Sequence, residues 1–303
     1  MKEDEFASVV RDMALPNGSI FSIPIVLDVT KEHAKYLIKD TIVKLYFEGE
    51  QIGTLKIESI FRYSREEVTK EIYGTSDRTH PGVEDFYKME EMFVGGEIFL
   101  TKQIQHDSTK YEMTPTETKA LFKEKNWKTI VAFHTRNPPH RAHECLQRMV
   151  FQLYDGLFIH PIIGMKKKGD FLPDAIMNGY KALIFKFYPV DRVVLSGLTT
   201  FGRYAGPREA VFHAVVRKNY GCTHIIMGRD HAGVKNYYGK YDSQELCSKF
   251  EDRLGIRIIK FNETYYCNSC DDMVTVNVCP HRKTDLEQIE EISGTNIRTL
   301  LES

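Results

Sequence analysis

The sequence predicts an α/β protein centred on a parallel sheet, with a β-rich segment before it and a short cysteine-bearing segment after it. Three observations predict this. From residue 126 onward, short apolar runs alternate with helical patterns. Before residue 113, the runs are β-branched and aromatic, with turn residues between them. Near the end stands the grouping Cys267-x2-Cys270-x8-Cys279-Pro280-His281.

Residues 1–112 read as a compact β-rich domain. Thr41 to Phe47 and Thr54 to Tyr63 flank Glu48-Gly49-Glu50-Gln51, the pattern of a hairpin. Ile20 to Val29 is a further strand; Pro24 places it near an edge or bulge. Gly95-Gly96, inside Phe93 to Leu100, predicts two strands joined tightly. Thr79-His80-Pro81-Gly82 marks a turn, and the isolated His80 and His106 read as structural.

A boundary is expected near residue 113. Thr114-Pro115-Thr116-Glu117 is a capping box with proline at the first helical position, opening a helix to about Lys125. Residues 113–255 form the α/β domain, and 256–303 a small C-terminal subdomain. Strands are expected at Thr129–His134, Leu157–Ile163, Arg192–Leu198, Thr223–Met227 and Ile256–Phe261, with helices at 138–154, 174–187, 207–219 and 242–253. Such alternation implies a parallel sheet covered on both faces, with right-handed crossovers. Ligands of such sheets bind beyond the carboxyl ends of the strands. The segments His134–His143, Gly164–Asp170, Thr199–Arg208 and Gly228–Val234 therefore carry the function.

The first of these segments is the richest: His134-Thr135-Arg136-Asn137-Pro138-Pro139-His140-Arg141-Ala142-His143. Here a strand gives way to a helix. Asn137 is expected to cap that helix, with Pro138 in its first turn. A helix start offers free N–H groups and a positive dipole end to an anion. His140 and His143, three apart, are expected to share one face. The segment Gly228-Arg229-Asp230-His231-Ala232-Gly233 adds close backbone approach and a planar guanidinium. Gly202-Arg203-Tyr204 through Arg208 adds further arginines. The arrangement suits phosphate. Neither a Gly-x-Gly-x-x-Gly nor a Walker-type loop occurs, which argues against a dinucleotide-dependent dehydrogenase and a P-loop enzyme.

Composition narrows the class. The chain has 303 residues, of which 42% are hydrophobic and 27% charged, with a net charge of −1. No global field recruits nucleic acid or a membrane. Lys166-Lys167-Lys168 reads as a solvated loop. No apolar run reaches the roughly 18 residues of a membrane span. The acidic start lacks a signal-peptide core, so a cytoplasmic location and reduced cysteines are expected.

The chain resembles the ATP sulfurylase (sulfate adenylyltransferase) family, in its bacterial and archaeal form. The resemblance rests on Thr-Arg-Asn-Pro-Pro-His-Arg-Ala-His-Glu at 135–144, Ala-Gly-Pro-Arg-Glu-Ala at 205–210, Arg-Lys-Asn-Tyr-Gly at 217–221 and Gly-Arg-Asp-His-Ala-Gly-Val at 228–234. Tyr237-Tyr238-Gly239, Ser293-Gly294-Thr295 and the first-domain stretch 17–29 also match. The resemblance implies a Rossmann-like nucleotidylyltransferase domain after a PUA-like N-terminal domain. Family members usually begin some tens of residues earlier, so this chain is expected to start inside that domain.

The resemblance also implies a reaction: sulfate attacks the α-phosphorus of Mg2+-bound ATP, giving adenylyl sulfate and pyrophosphate. It assigns Thr135, Arg136, Asn137, His140 and His143 to catalysis. It assigns His134, Arg136, Arg203, Arg229 and Ala232 to the sulfate. It assigns Asn137, His140, His143, Gly228, Arg229, Asp230 and His231 to ATP. A homo-oligomer is implied as well.

Four positions depart from the family pattern. His134 stands where glutamine is usual, Gly202 where methionine is common, Ile176 where an arginine is usual, and Lys235 where glycine is common. They keep two alternatives open: an adenylyltransferase for another anion, and a catalytically silent scaffold that keeps the fold. The thiols Cys267, Cys270 and Cys279 with His281 suit a closed, structural Zn2+ site. Some bacterial members carry a similar element. A zinc-ribbon nucleic-acid module is the competing reading, and the acidic neighbours Asp271, Asp272, Asp285 and Glu287 disfavour it.

Overall fold

The computed structural model describes residues 1–164, 170–283, 285–292, 294, 296–297 and 299. Lys166-Lys167-Lys168, Ser293 and Thr295 lie outside the described residues. The chain divides into two units: residues 1–107 with 203–212 and 232–238, and residues 108–202 with 213–231 and 239–303.

In the first unit, helix α1 (Glu3–Asp12) precedes strand β1 (Leu27–Val29) and the short α2 (Lys31–Ala34). Strands β2 (Ile42–Phe47) and β3 (Glu50–Arg62) form the expected hairpin. Its turn is tighter than expected: Phe47 pairs with Glu50, and Glu48 and Gly49 both take positive φ, as a two-residue hairpin turn requires. Helices α3 (Arg65–Tyr73) and α4 (Pro81–Lys88) and strand β4 (Met92–Leu100) follow. The antiparallel order is β1-β4-β3-β2, so the short strand after Pro24 sits at an edge. Phe6, Phe61 and Phe93 meet at 5.4–5.8 Å between ring centres and anchor the core.

The expected break at Gly95-Gly96 is absent. β4 runs unbroken through both glycines against β3. A Cβ on Gly95 would lie 2.0 Å from the Met1 carbonyl oxygen, and one on Gly96 1.9 Å from that of Lys56. The pair permits close backbone approach beside an irregularity between Ile57 and Ser59, not a turn.

The second unit opens with α5 (Pro115–Glu124), capped as the sequence predicts: the Thr114 hydroxyl accepts from the Glu117 N–H at 3.2 Å, and the Glu117 carboxylate accepts from the Thr114 N–H at 2.6 Å. Then come β5 (Ile130–Phe133), α6 (Arg141–Val150), β6 (Gly156–Ile159), α7 (Pro173–Phe187), β7 (Val193–Leu195), α8 (Gly206–Asn219), β8 (His224–Met227), α9 (Asp242–Leu254) and β9 (Arg257–Lys260). Residues 206–212 of α8 fall in the first unit and 213–219 in the second. The five-stranded sheet is parallel, in the order β7-β6-β5-β8-β9. All four residues of β5 and of β6 are buried, as double-sided cover demands. β9 lies past residue 255 and still completes this sheet against β8.

Strands β10 (Thr264–Cys267), β11 (Asp272–Thr275) and β12 (Ile289–Glu290) form a separate antiparallel sheet, in the order β11-β10-β12. Its core is small: Tyr265, Cys267 and Cys279, with Val274 and Ile289 against them. Among the described residues no helix is long and apolar enough to cross a membrane.

Candidate active site and metal centre

β5 and β8 are neighbours, yet β5 continues to β6 on its other side. The strand order therefore reverses between β5 and β8. Loops leaving such a switch point are where sheets of this kind hold ligands. Here those loops begin at His134 and Gly228.

The first loop differs from its expected form. α6 begins at Arg141, and His140, not Asn137, is its cap. Asn137 and Pro138 each precede a proline, which biases both toward extended backbone and delays the helix. His140 itself is extended (φ −143°, ψ 170°), and its Nδ1 accepts from the His143 N–H at 3.4 Å. Its ring then stacks on that of His143, with 3.7 Å between centres and 27° between planes. The two histidines meet as a stacked pair across the cap. Asn137 donates its N–H to the Thr135 hydroxyl at 3.1 Å.

Burial and the neighbouring Arg229 charge push the His140 imidazole down to about 4. Burial, then His140, holds His143 well below the usual histidine range. His143 Nδ1 meets the Tyr180 hydroxyl at 3.1 Å, and its ring packs edge-on against Phe133. Both imidazoles are neutral at pH 7.

In the second loop Arg229 forms an ion pair with Glu263, which also holds Lys240. Asp230 has φ 48°, and its N–H donates to the Lys240 carbonyl at 2.8 Å. Burial raises its carboxyl, against the lowering charges of Arg136 and Arg229. The His231 carbonyl accepts from the Ser243 hydroxyl at 2.8 Å. Gly228 has open space where a Cβ would stand.

His134 joins a group the sequence did not assign. Its ring stacks on His213 at 3.9 Å and lies 4.8 Å from that of His231. His213 Nδ1 and His231 Nε2 are 3.1 Å apart. The fully buried Arg217 donates to His134 Nδ1 at 2.8 Å and to the His160 carbonyl at 2.9 Å. His213 and Arg217 are four apart in α8, a spacing that puts both on one helix face. That spacing was the available signal for them. Tyr180 and Glu263 left none, because both reach the site from distant elements.

Arg203 and Ala232 belong to the first unit. There the Arg203 N–H donates to the Glu209 carboxylate at 2.9 Å, and its guanidinium lies 5.2 Å from the Phe212 ring centre. The Ala232 carbonyl accepts from the Gly206 N–H at 3.1 Å. Lys235 has φ 49°, the region glycine favours, which accounts for glycine being common there. Ile176 is fully buried in the core cluster with Val131 and Ile159. An apolar residue at that position serves packing.

Cys267, Cys270, Cys279 and His281 bring one donor atom each within 4.8 Å of one another. His281 Nδ1 lies 3.5 Å from Cys267 Sγ and 3.4 Å from Cys270 Sγ, and Cys270 Sγ lies 3.9 Å from Cys279 Sγ. Zinc–sulfur bonds of ~2.3 Å in a tetrahedron place sulfurs about 3.8 Å apart, and a sulfur and a nitrogen slightly less. The donor set and spacing fit a four-coordinate metal. The other histidine group, His134, His213 and His231, fits a cation poorly. Its first two rings stack, so their lone pairs do not converge, and Arg217 occupies His134 Nδ1.

Comparison with known proteins extends this picture. The ATP-sulfurylase family model matches residues 109–303, and a PUA-like domain model matches residues 1–103. A sulfate adenylyltransferase of Halothermothrix orenii is 42% identical over 305 residues, covering 99% of this chain and 79% of that protein. One of Pyrococcus abyssi is 42% identical over 301 residues, covering 99% and 78%. The solved structure of a hexameric APS kinase from Thiobacillus denitrificans superposes with a TM-score of 0.72 at 19% identity. That match covers 99% of this chain and about half, 52%, of the solved one, and at such identity it speaks for the fold alone. With family-model matches over both parts of its length and relatives 42% identical over 99% of it, the chain belongs to the ATP-sulfurylase family.

Proposed function

We propose that this chain transfers the adenylyl group of ATP to sulfate, releasing pyrophosphate. The observation that carries the proposal is the stacked His140–His143 pair at the start of α6, beside Arg136, Arg229 and Asp230 at the sheet's switch point. Relatives at 42% identity that bear the name sulfate adenylyltransferase support it.

Sulfate at neutral pH has no proton to lose, so the reaction needs no general base. A sulfate oxygen attacks the α-phosphorus, the bond to the bridging oxygen of the β-phosphate breaks, and pyrophosphate leaves with that electron pair. The protein's task is to bring two anions together and to stabilise charge on the α-phosphate and the leaving group. In this reading His140 and His143 donate to the ATP phosphates, and bound phosphate favours their protonation. Thr135 and Asn137 hold the reaction centre. Gly228, Arg229, Asp230 and His231 contact the nucleotide. Arg136 and His134 take the sulfate. Mg2+ arriving with ATP supplies charge neutralisation on the phosphates.

The Cys3His group would hold zinc in a structural role, tying together a small sheet with little core of its own. A homo-oligomer in the cytoplasm completes the reading. The test is pyrophosphate release from ATP with a panel of anions. Strict dependence on sulfate is expected; release independent of sulfate overturns the proposal.

A further inference from the structure

His134 leaves the end of β5, His160 the end of β6, and His231 the loop after β8. His213 and Arg217 come to the same edge from α8. The His160 N–H donates to the Phe133 carbonyl at 2.9 Å, which fixes the first two strand ends side by side. Arg217, with no exposed surface, then bridges them through its donations to His134 Nδ1 and the His160 carbonyl.

A guanidinium has donors only and does not lose its proton in a protein. The nitrogen it meets must therefore present a lone pair. His134 Nδ1 is that nitrogen, so a neutral His134 carries its single proton on Nε2. The charged and titratable groups that act most strongly on this ring are His213 and Arg217 of α8, His231 after β8 and His160 after β6. Burial first, then His213 and the Arg217 charge, holds the imidazole in its neutral form. Stacking on His213 restrains the ring's orientation.

We propose that Arg217 is a positioning residue that locks His134 as a neutral Nε2–H donor, and that this lock makes the acceptor site prefer a fully ionised oxyanion over one that still carries a proton. The inference rests on the reading above, in which His134 faces the acceptor anion. Sulfate offers oxygens that only accept. Hydrogen phosphate also carries an O–H that must find an acceptor. The other His134 tautomer would supply one, and Arg217 forbids that tautomer. Leaving a buried donor unmatched is costly, and sites built on such groups discriminate strongly.

The experiment has two arms. The first is nitrogen-15 NMR of the histidine-labelled full-length protein, with His134 assigned by its loss in His134→Gln. An Nε2–H tautomer across about pH 6 to 8 is expected. An Nδ1–H form, or a charged ring, overturns the lock. This arm needs no turnover, so it stands even if sulfate proves not to be the substrate.

The second arm is a double-mutant cycle of Arg217→Met and His134→Gln, reading the KM for sulfate, the KM for ATP and inhibition by inorganic phosphate. In the wild-type background, Arg217→Met is expected to raise the sulfate KM about ten- to a hundredfold, to strengthen phosphate inhibition, and to leave the ATP KM within about twofold. A glutamine amide needs no tautomer lock, so in the His134→Gln background the Arg217→Met penalty should shrink below about threefold. Equal penalties in both backgrounds would mark Arg217 as merely structural. If Arg217→Met does not fold, the tautomer measurement alone decides.

Discussion

The imidazoles of His140 and His143 stack 3.7 Å apart although only His143 lies within a helix. The contact depends on His140 staying extended as the cap of α6. Replacing His143 by alanine removes a preorganised donor and the partner of that stack. We expect a loss of ~2–4 kcal/mol of transition-state stabilisation, seen in kcat more than in the KM for ATP. Unchanged turnover in His143→Ala would mean the pair is not at the reacting phosphate.

The histidines also set how stability depends on pH. His140 has an ordinary value of 6.5 and is held down to about 4 in the folded chain. His134, His143, His160 and His231 shift the same way, each by burial first. As pH falls through 6.5, the unfolded chain takes up these protons while the folded chain does not. Stability is therefore full above that value and is lost as pH falls toward about 4. Each such histidine contributes a slope of up to about 1.4 kcal/mol per pH unit within the window. Urea unfolding at a series of pH values should show the decline, and His140→Asn should flatten it by up to one proton's worth. A slope identical in the two proteins would refute the assignment to His140.

Much of this arrangement was legible in the sequence, because the parallel sheet imposes periodic signals. The runs at β5 and β8 are apolar on both faces, and the loops after them carry the charged and imidazole groups. Two differences have separate causes. Asn137 has the propensity of a cap, but the two prolines that follow it keep the backbone extended and delay the helix. Gly95-Gly96 has the propensity of a turn, and local propensity is silent about close contacts between distant residues. The Gly95 hydrogen fits against the Met1 carbonyl, a contact between residues far apart in sequence. Glu263 left no signal as a site residue, because its partner Arg229 stands 34 residues away; Arg217, 83 residues from His134, was marked only by its four-residue spacing from His213.

Glu263 holds both Arg229 and Lys240 while itself being only 8% exposed. Glu263→Gln leaves two cations without their counter-charge, one of them in the proposed nucleotide loop. Both cations reach solvent, which screens the penalty, so we expect a stability loss of only about 1–2 kcal/mol. The KM for ATP should rise severalfold, because Arg229 loses the group that orients it. A rise in the sulfate KM alone would place Arg229 on the acceptor instead.

The Cys3His group leads to a metal prediction. Elemental analysis of the purified chain should find one zinc per chain, and Cys267→Ser or Cys279→Ser should lower that content. Chelation should lower the unfolding temperature, since the apolar core of the small sheet is limited among the described residues, built mainly on Tyr265, the cysteines, Met273, Val274 and Ile289. Full zinc content in both cysteine variants would show that the metal sits elsewhere.

That sheet also bears on the active site. Cys267 pairs with Ile289 across β10 and β12, so a metal held at Cys267 anchors the strand that leads on to Gly294. A Cβ at Gly294 would lie 2.7 Å from the Asn137 side-chain Cγ and Nδ2. The obstructed atoms are the end of a side chain, which can move. Gly294→Ala should therefore displace the Asn137 carboxamide at a folding cost of no more than about 1 kcal/mol. The expected signature is a severalfold rise in the KM for ATP with a nearly unchanged unfolding midpoint. If Asn137 touches the nucleotide, Asn137→Ala should show the same rise, and Gly294→Ala should add little to it. Additive effects would instead mean that Gly294 acts through some other neighbour.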